Sequence, residues 1–183
     1  MEKDYLFTNR CVMTGNLNLE IEQYNFWTKR QKWLVTFCFL MFTAFCVLFA
    51  YAGKTFDAVL SASLAAVILF FFWDLPRSKS KRGFRWLCEQ EHTDRPENLL
   101  FFSEEAFTEK CVATKGQITF SYSSVKAYDE LKHVILLTAV SPQGGPDLTL
   151  AISKNGFVQG KPDDFPSFIA RKCPGINRNR DRE

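Results

Sequence analysis

Two long stretches without a charged residue, a few positions apart, constrain this chain more than any other feature. The first runs from Trp33 to Tyr51 (WLVTFCFLMFTAFCVLFAY), and the second from about Phe56 to Leu75, with an uncharged centre from Ala58 to Trp73. At the helical rise, the nineteen residues of the first cover about 28 Å, roughly the hydrocarbon thickness of a bilayer. Asp57 and Asp74 fall at the ends of the second, where the cost of a charge in a membrane is low. Buried helices of soluble proteins rarely run this long without a polar face. The pattern therefore predicts two transmembrane helices, 33–51 and 56–75. Ala52-Gly53-Lys54-Thr55 allows only a tight connection between them, which makes an antiparallel hairpin.

The charges around this block predict its orientation. Lys29, Arg30 and Lys32 precede it and Arg77, Lys79, Lys81, Arg82 and Arg85 follow it, whereas Lys54 is the single base of the loop. The excess of Lys and Arg on the outer flanks places both termini in the cytoplasm, with a multi-pass topology in the cell (inner) membrane. Trp33 and Trp73 then fall at the inner interface and Tyr51 near the outer one. Those eight bases and two tryptophans are the candidate membrane-surface contacts, and the lipid bilayer is the expected partner. The net charge is +3 with a pI near 8.5. From Phe84 onward, however, 14 acids oppose 13 bases, so no nucleic-acid face is expected.

Ala58, Ala62 and Ala66 repeat every four residues along the second span, with Ser61 and Ala65 beside them. Small residues at this spacing let another helix approach closely. They are the candidate helix-packing residues, for packing within the hairpin or for a homodimer through the second span. Neither span has an ionisable residue at its centre, so no ion or proton path is expected.

The flanks divide into segments. Residues 1–32 form a cytoplasmic N-terminal segment too polar for a signal peptide. Within Val12–Ile21, the alternation of Leu17, Leu19 and Ile21 predicts a short strand, and Tyr24, Phe26 and Trp27 then lead toward the headgroups. Residues 76–97 read as a basic juxtamembrane linker. Residues 98–173 read as a cytoplasmic β-rich domain. Leu99–Phe102 is an apolar run, and Phe107–Ala113 and Gln117–Tyr122 make a hairpin across Thr114-Lys115-Gly116. Lys126–Glu130 and Val134–Thr138 form a second pair, and Leu148–Ile152 follows a Pro/Gly loop. A final helix, capped by Asp163 or Asp164, carries Phe165, Phe168 and Ile169 on one face. The tail 174–183 is expected to be disordered. Six scattered cysteines without a secretory signal are expected to stay reduced.

This order of elements resembles the YcxB-like family. The matching residues run from Phe107 through Gly116-Gln117 to Tyr122-Ser123-Ser124-Val125. They continue through Glu130 and Val134–Thr138 to Ile152-Ser153-Lys154-Asn155-Gly156-Phe157 and Phe165. The family usually has Trp where Tyr122 stands and Pro-Lys where Ser153-Lys154 stands. The resemblance implies a two-helix hairpin followed by a small β-barrel or sheet domain, pleckstrin-homology-like (PH-like) and closed by a C-terminal helix. It implies no catalytic residue.

The residues themselves offer little chemistry. His92 and His133 are the two histidines, and a Ser123/His133/Asp129 set lacks a nucleophile elbow. No Cys/His/carboxylate set has metal-ligand spacing. Glu104-Glu105 and Asp163-Asp164 suit a turn and a helix cap. Gly144-Gly145 is followed by Pro146 and not by GK[ST], so it is no phosphate loop. No cofactor and no enzymatic activity are expected. The sequence favours a membrane-tethered module that binds a protein partner; the alternative is a module responsive to anionic lipid.

Overall fold

The computed structural model describes residues 5–27 and 29–178. The chain separates into two compact units. One combines the N-terminal residues up to Leu17 with residues from Phe84 onward, and the other spans Asn18–Gly83.

In the second unit, helix α1 (Gly15–Phe26) leads to α2 (Lys29–Tyr51) and then to the long α3 (Thr55–Glu91). The turn between α2 and α3 is set by Gly53, which adopts φ 71°. Its N–H donates to the Ala50 carbonyl at 3.2 Å and the Lys54 N–H donates to the Phe49 carbonyl at 2.9 Å. This is the Schellman closure that glycine permits at a helix end. Both α2 and α3 are long and apolar enough to cross a membrane.

Two expectations are corrected here. Val12–Ile21 is not a strand: the chain enters α1 at Gly15, with the Thr14 hydroxyl capping the Leu17 N–H at 3.2 Å. Leu17 and Ile21, two of the three residues of that alternation, also fall at i and i+4, with Tyr24 at i+7, so they satisfy a helical period once Thr14 supplies the cap. Nor is 76–97 a linker. The helix continues through Pro76 to Glu91. Pro76 removes one backbone donor without ending the helix.

The first unit is two mainly antiparallel sheets closed by a helix. Sheet A has the order β4-β3-β2-β1-β8, from β1 (Phe7–Val12), β2 (Glu97–Phe102), β3 (Ala106–Cys111), β4 (Gln117–Ser121) and β8 (Phe157–Gln159). Sheet B has the order β7-β6-β5-β9, from β5 (Val125–Glu130), β6 (Val134–Ala139), β7 (Leu148–Ser153) and β9 (Asn177–Arg178), the last pairing parallel to β5. The β structure is thus a pair of open sheets and not a closed barrel. The expected disorder of 174–183 is also corrected in part, since Asn177 and Arg178 pair with β5; Asn179–Glu183 lie outside the described residues.

The core lies between the sheets. Phe7, Leu100, Phe102, Phe107 and Phe120 from sheet A face Tyr128, Ile135, Leu137, Leu150 and Ile152 from sheet B. Helix α4 (Phe165–Lys172) closes it with Phe165, Phe168 and Ile169, as its apolar spacing predicts. Phe165 meets Phe102 edge-on at 4.9 Å and Phe107 stacks on Phe120 at 5.1 Å, so much of the core is ring against ring.

The central place of β1 was not expected from the sequence. It pairs along its full length with β2, from Phe7↔Phe102 to Val12↔Glu97, although the whole α1–α3 segment lies between them in the chain. Asn9, fully buried, holds the two sheets together: its side-chain amide donates to the Ser153 carbonyl at 2.7 Å and accepts from the Ser153 N–H at 3.1 Å. The Arg10 N–H donates to the Gly156 carbonyl at 2.7 Å. A Cβ on Gly156 would sit 2.2 Å from the Arg10 carbonyl oxygen, so only glycine admits β1 here.

Candidate membrane-surface site

In the helical unit, α1 lies along the part of α3 that follows its apolar stretch. The Asn18 amide donates to the Ser80 carbonyl at 2.8 Å and to its hydroxyl at 3.0 Å. Glu22 pairs with Lys79 at 3.1 Å, the Lys79 ammonium lies 5.7 Å from the Phe26 ring centre, and Trp27 stacks on Phe72 at 5.4 Å. As α1 advances from 18 to 27, its partners on α3 recede from 80 to 72, so the two run antiparallel. Pro76 and Ser80 are buried on the covered face of α3.

This packing divides the sequence candidates. Lys79 is committed to Glu22 and Phe26. Arg77, Lys81, Arg82 and Arg85 are exposed. The Arg77 guanidinium lies 5.0 Å from the Trp73 ring centre, a cation–π contact, and Arg82 reaches back to the Ser78 carbonyl at 3.4 Å. Arg30 and Lys32 are exposed in the first turn of α2, which Lys29 opens. Trp33 and Trp73 are 76% and 61% exposed. Tryptophans this open to solvent are costly in water and favourable at a bilayer interface.

The helix-packing candidates also separate. Ala58, Ser61 and Ala65 are buried, at i, i+3 and i+7, whereas Ala62 and Ala66 are exposed. The covered small-residue stripe is therefore rotated by about one position from the i, i+4, i+8 series.

In the β unit the residues considered for chemistry stay apart. Ser123 precedes β5, and Asp129 and His133 lie near or beyond its other end, about 20 Å away at the strand rise. Among the described residues, no three His, Cys, Asp or Glu are grouped to hold a metal. All six cysteines are free. Burial pushes the Cys11 thiol up to about 11 and also raises Cys173. The buried Tyr122 donates its hydroxyl to the Ser103 carbonyl at 2.7 Å, and burial raises its pKa. Lys126 and Lys154 are paired with Asp147 and Glu130 at 2.8 and 2.6 Å, which removes them from any basic patch. Lys172 pairs with Glu104, and its hydrogen bond holds that carboxyl below the usual range.

Two further features belong to this unit. A cleft of about 550 Å³ runs beside α4, with Phe7 and Phe168 in its lining and Lys161, Asp164 and Arg171 around it. Strand β4 ends sheet A: among the described residues no strand pairs with its outer side, and Gln117, Thr119 and Ser121 are exposed. Its sequence, Gln-Ile-Thr-Phe-Ser, carries no charge and no proline, the usual protections of an edge. The other ends of the sheets are short, or tied by Asn9 to Ser153. Comparison with protein-family models, curated proteins and solved structures finds no match for this chain.

Proposed function

We propose that this chain is an integral membrane protein whose α2–α3 hairpin holds a cytoplasmic, non-enzymatic β domain at the cell membrane, where the domain binds a protein partner. Membrane insertion is supported by exposure: none of the apolar window of α2 is buried, and only 17% of that of α3. A core helix of a soluble protein would bury that surface, and an apolar face this large left in water would drive aggregation.

The topology rests on the β1–β2 pairing. The hairpin is inserted in the chain between two strands that pair with each other, so both its flanks must lie on the same side of the bilayer. The eight flanking bases, against Lys54 alone on the loop, make that side the cytoplasm. Two sheets closed by a C-terminal helix are also the arrangement a PH-like module uses, which supports carrying the YcxB-like resemblance into this reading.

The open, uncharged edge of β4 is the observation that carries protein binding. With no strand paired to its outer side among the described residues, it can take an extended segment of a partner as a further strand. A photo-crosslinking side chain at Thr119 in the full-length protein, irradiated in native membrane, should give a discrete protein adduct. Adducts with lipid alone, or none, would overturn the reading. Reporters fused to each terminus should both be active in the cytoplasm; activity outside would overturn the topology.

A further inference from the structure

We infer that Arg77, Lys81 and Arg82 form a binding site for the headgroup of an anionic phospholipid in the cytoplasmic leaflet. The inference rests on the membrane reading above and goes beyond it, because topology requires only that bases be present, not where they point. The packing of α1 decides where they point. Phe72, Pro76, Lys79 and Ser80 fall on the side of α3 that α1 covers. At 100° per residue, Arg77, Lys81 and Arg82 occupy the arc that points away from it, with exposed Ser78 between them.

Among the described residues none of these three bases has an ion pair, whereas Lys79, from the same run, has one with Glu22. Their height also fits. Arg77 lies two residues beyond Leu75, about 3 Å along the helix, and Lys81 and Arg82 about 9–10 Å. Side chains of this length reach back toward the phosphate layer from there. The cation–π contact with Trp73 holds Arg77 at the level where the indole sits, so the first base is pre-positioned at the interface. Asp74 lies on this arc a turn closer to the membrane core, and among the described residues it has no ion pair with any of the three bases.

The test uses the full-length protein in vesicles, with Trp27, Trp33 and Trp86 replaced by Phe so that Trp73 alone reports. Brominated phosphatidylglycerol and brominated phosphatidylcholine are compared as quenchers at equal mole fraction. The anionic lipid should show a several-fold higher association at Trp73, reduced in part by each of Arg77→Gln, Lys81→Gln and Arg82→Gln and lost when all three are combined. Lys79→Gln should leave the preference unchanged. Equal quenching by the two lipids in the parent would overturn the inference, as would an equal loss in Lys79→Gln. Absence of quenching by either lipid would instead refute membrane insertion, and so identifies which reading has failed.

Discussion

Glu109 stands on the inner face of sheet A, in one cross-strand row with Leu100 and Asn9, both fully buried. Its carboxylate accepts from the Asn98 amide at 2.9 Å, yet burial, with a smaller contribution from the nearby Glu91, raises its pKa. A carboxyl whose pKa is higher folded than unfolded binds its proton more tightly in the native state. Its contribution to stability is complete below the unfolded pKa and is lost as pH rises through the folded value. Glu109 therefore opposes folding at neutral pH. Glu109→Gln keeps an acceptor for Asn98 and removes the ionisation, so the β unit should gain about 1 kcal/mol at pH 7, the low end of the cost of a poorly paired buried polar group. The gain should vanish near pH 4, and denaturant melts at the two pH values measure it. A second residue-scale expectation concerns Asn9. Asn9→Leu leaves the Ser153 N–H and carbonyl without their partners, so it should destabilise by about 2 kcal/mol in the same melts, although leucine is the more apolar side chain.

At the scale of elements, α4 and β1 make different demands on sequence reading. The face Phe165, Phe168 and Ile169 was legible because a short helix with a single apolar stripe has one way to dock. Phe168→Asp should lower stability by about 3–5 kcal/mol, since it leaves an uncompensated charge in the aromatic core. An unchanged unfolding midpoint would mean that α4 is not docked. The β3–β4 and β5–β6 pairs were legible for a similar reason: strand pattern and turn residues agree over a few positions. Strand β1 was not. Its inward positions are Phe7, Asn9 and Cys11, and a polar residue in the middle hides the alternation. Its partner β2 lies beyond the hairpin, so no local pattern connects them. Gly156 follows Asn155 just before Phe157, but the demand for glycine there, the approach of Arg10, appears only in three dimensions. The covered stripe on α3 was missed for a geometric cause. Ala58/Ala62/Ala66 and Ala58/Ser61/Ala65 are both rows of small residues, and the rotation of the helix chooses between them.

The whole molecule is a β domain interrupted by two helices long and apolar enough to cross a membrane. Strand β1 is synthesised before the two apolar helices, yet it has no sheet to join until β2 and β3 follow, so sheet A cannot close until the whole inserted segment has been made. The interruption is nevertheless local in space, because the two ends of the inserted segment meet: the Met13 N–H donates to the Pro96 carbonyl at 2.8 Å. A chain in which residues 5–13 are joined to 96–178 by a short Asn-Gly-containing turn therefore has the geometry of an ordinary β-hairpin between β1 and β2. Such a chain lacks both apolar helices and keeps the core of sheet A, sheet B and α4. It should be water-soluble, unfold in one cooperative transition and show no affinity for neutral vesicles. The same chain starting at residue 96 lacks β1 and loses Phe7 from the core, the Asn9 link to Ser153 and the strand between β2 and β8. It should aggregate or bind a dye specific for exposed apolar surface. If the fragment without β1 unfolded at the same denaturant concentration as the joined chain, β1 would be an accessory strand, and the requirement that both flanks share one side of the membrane would fall with it.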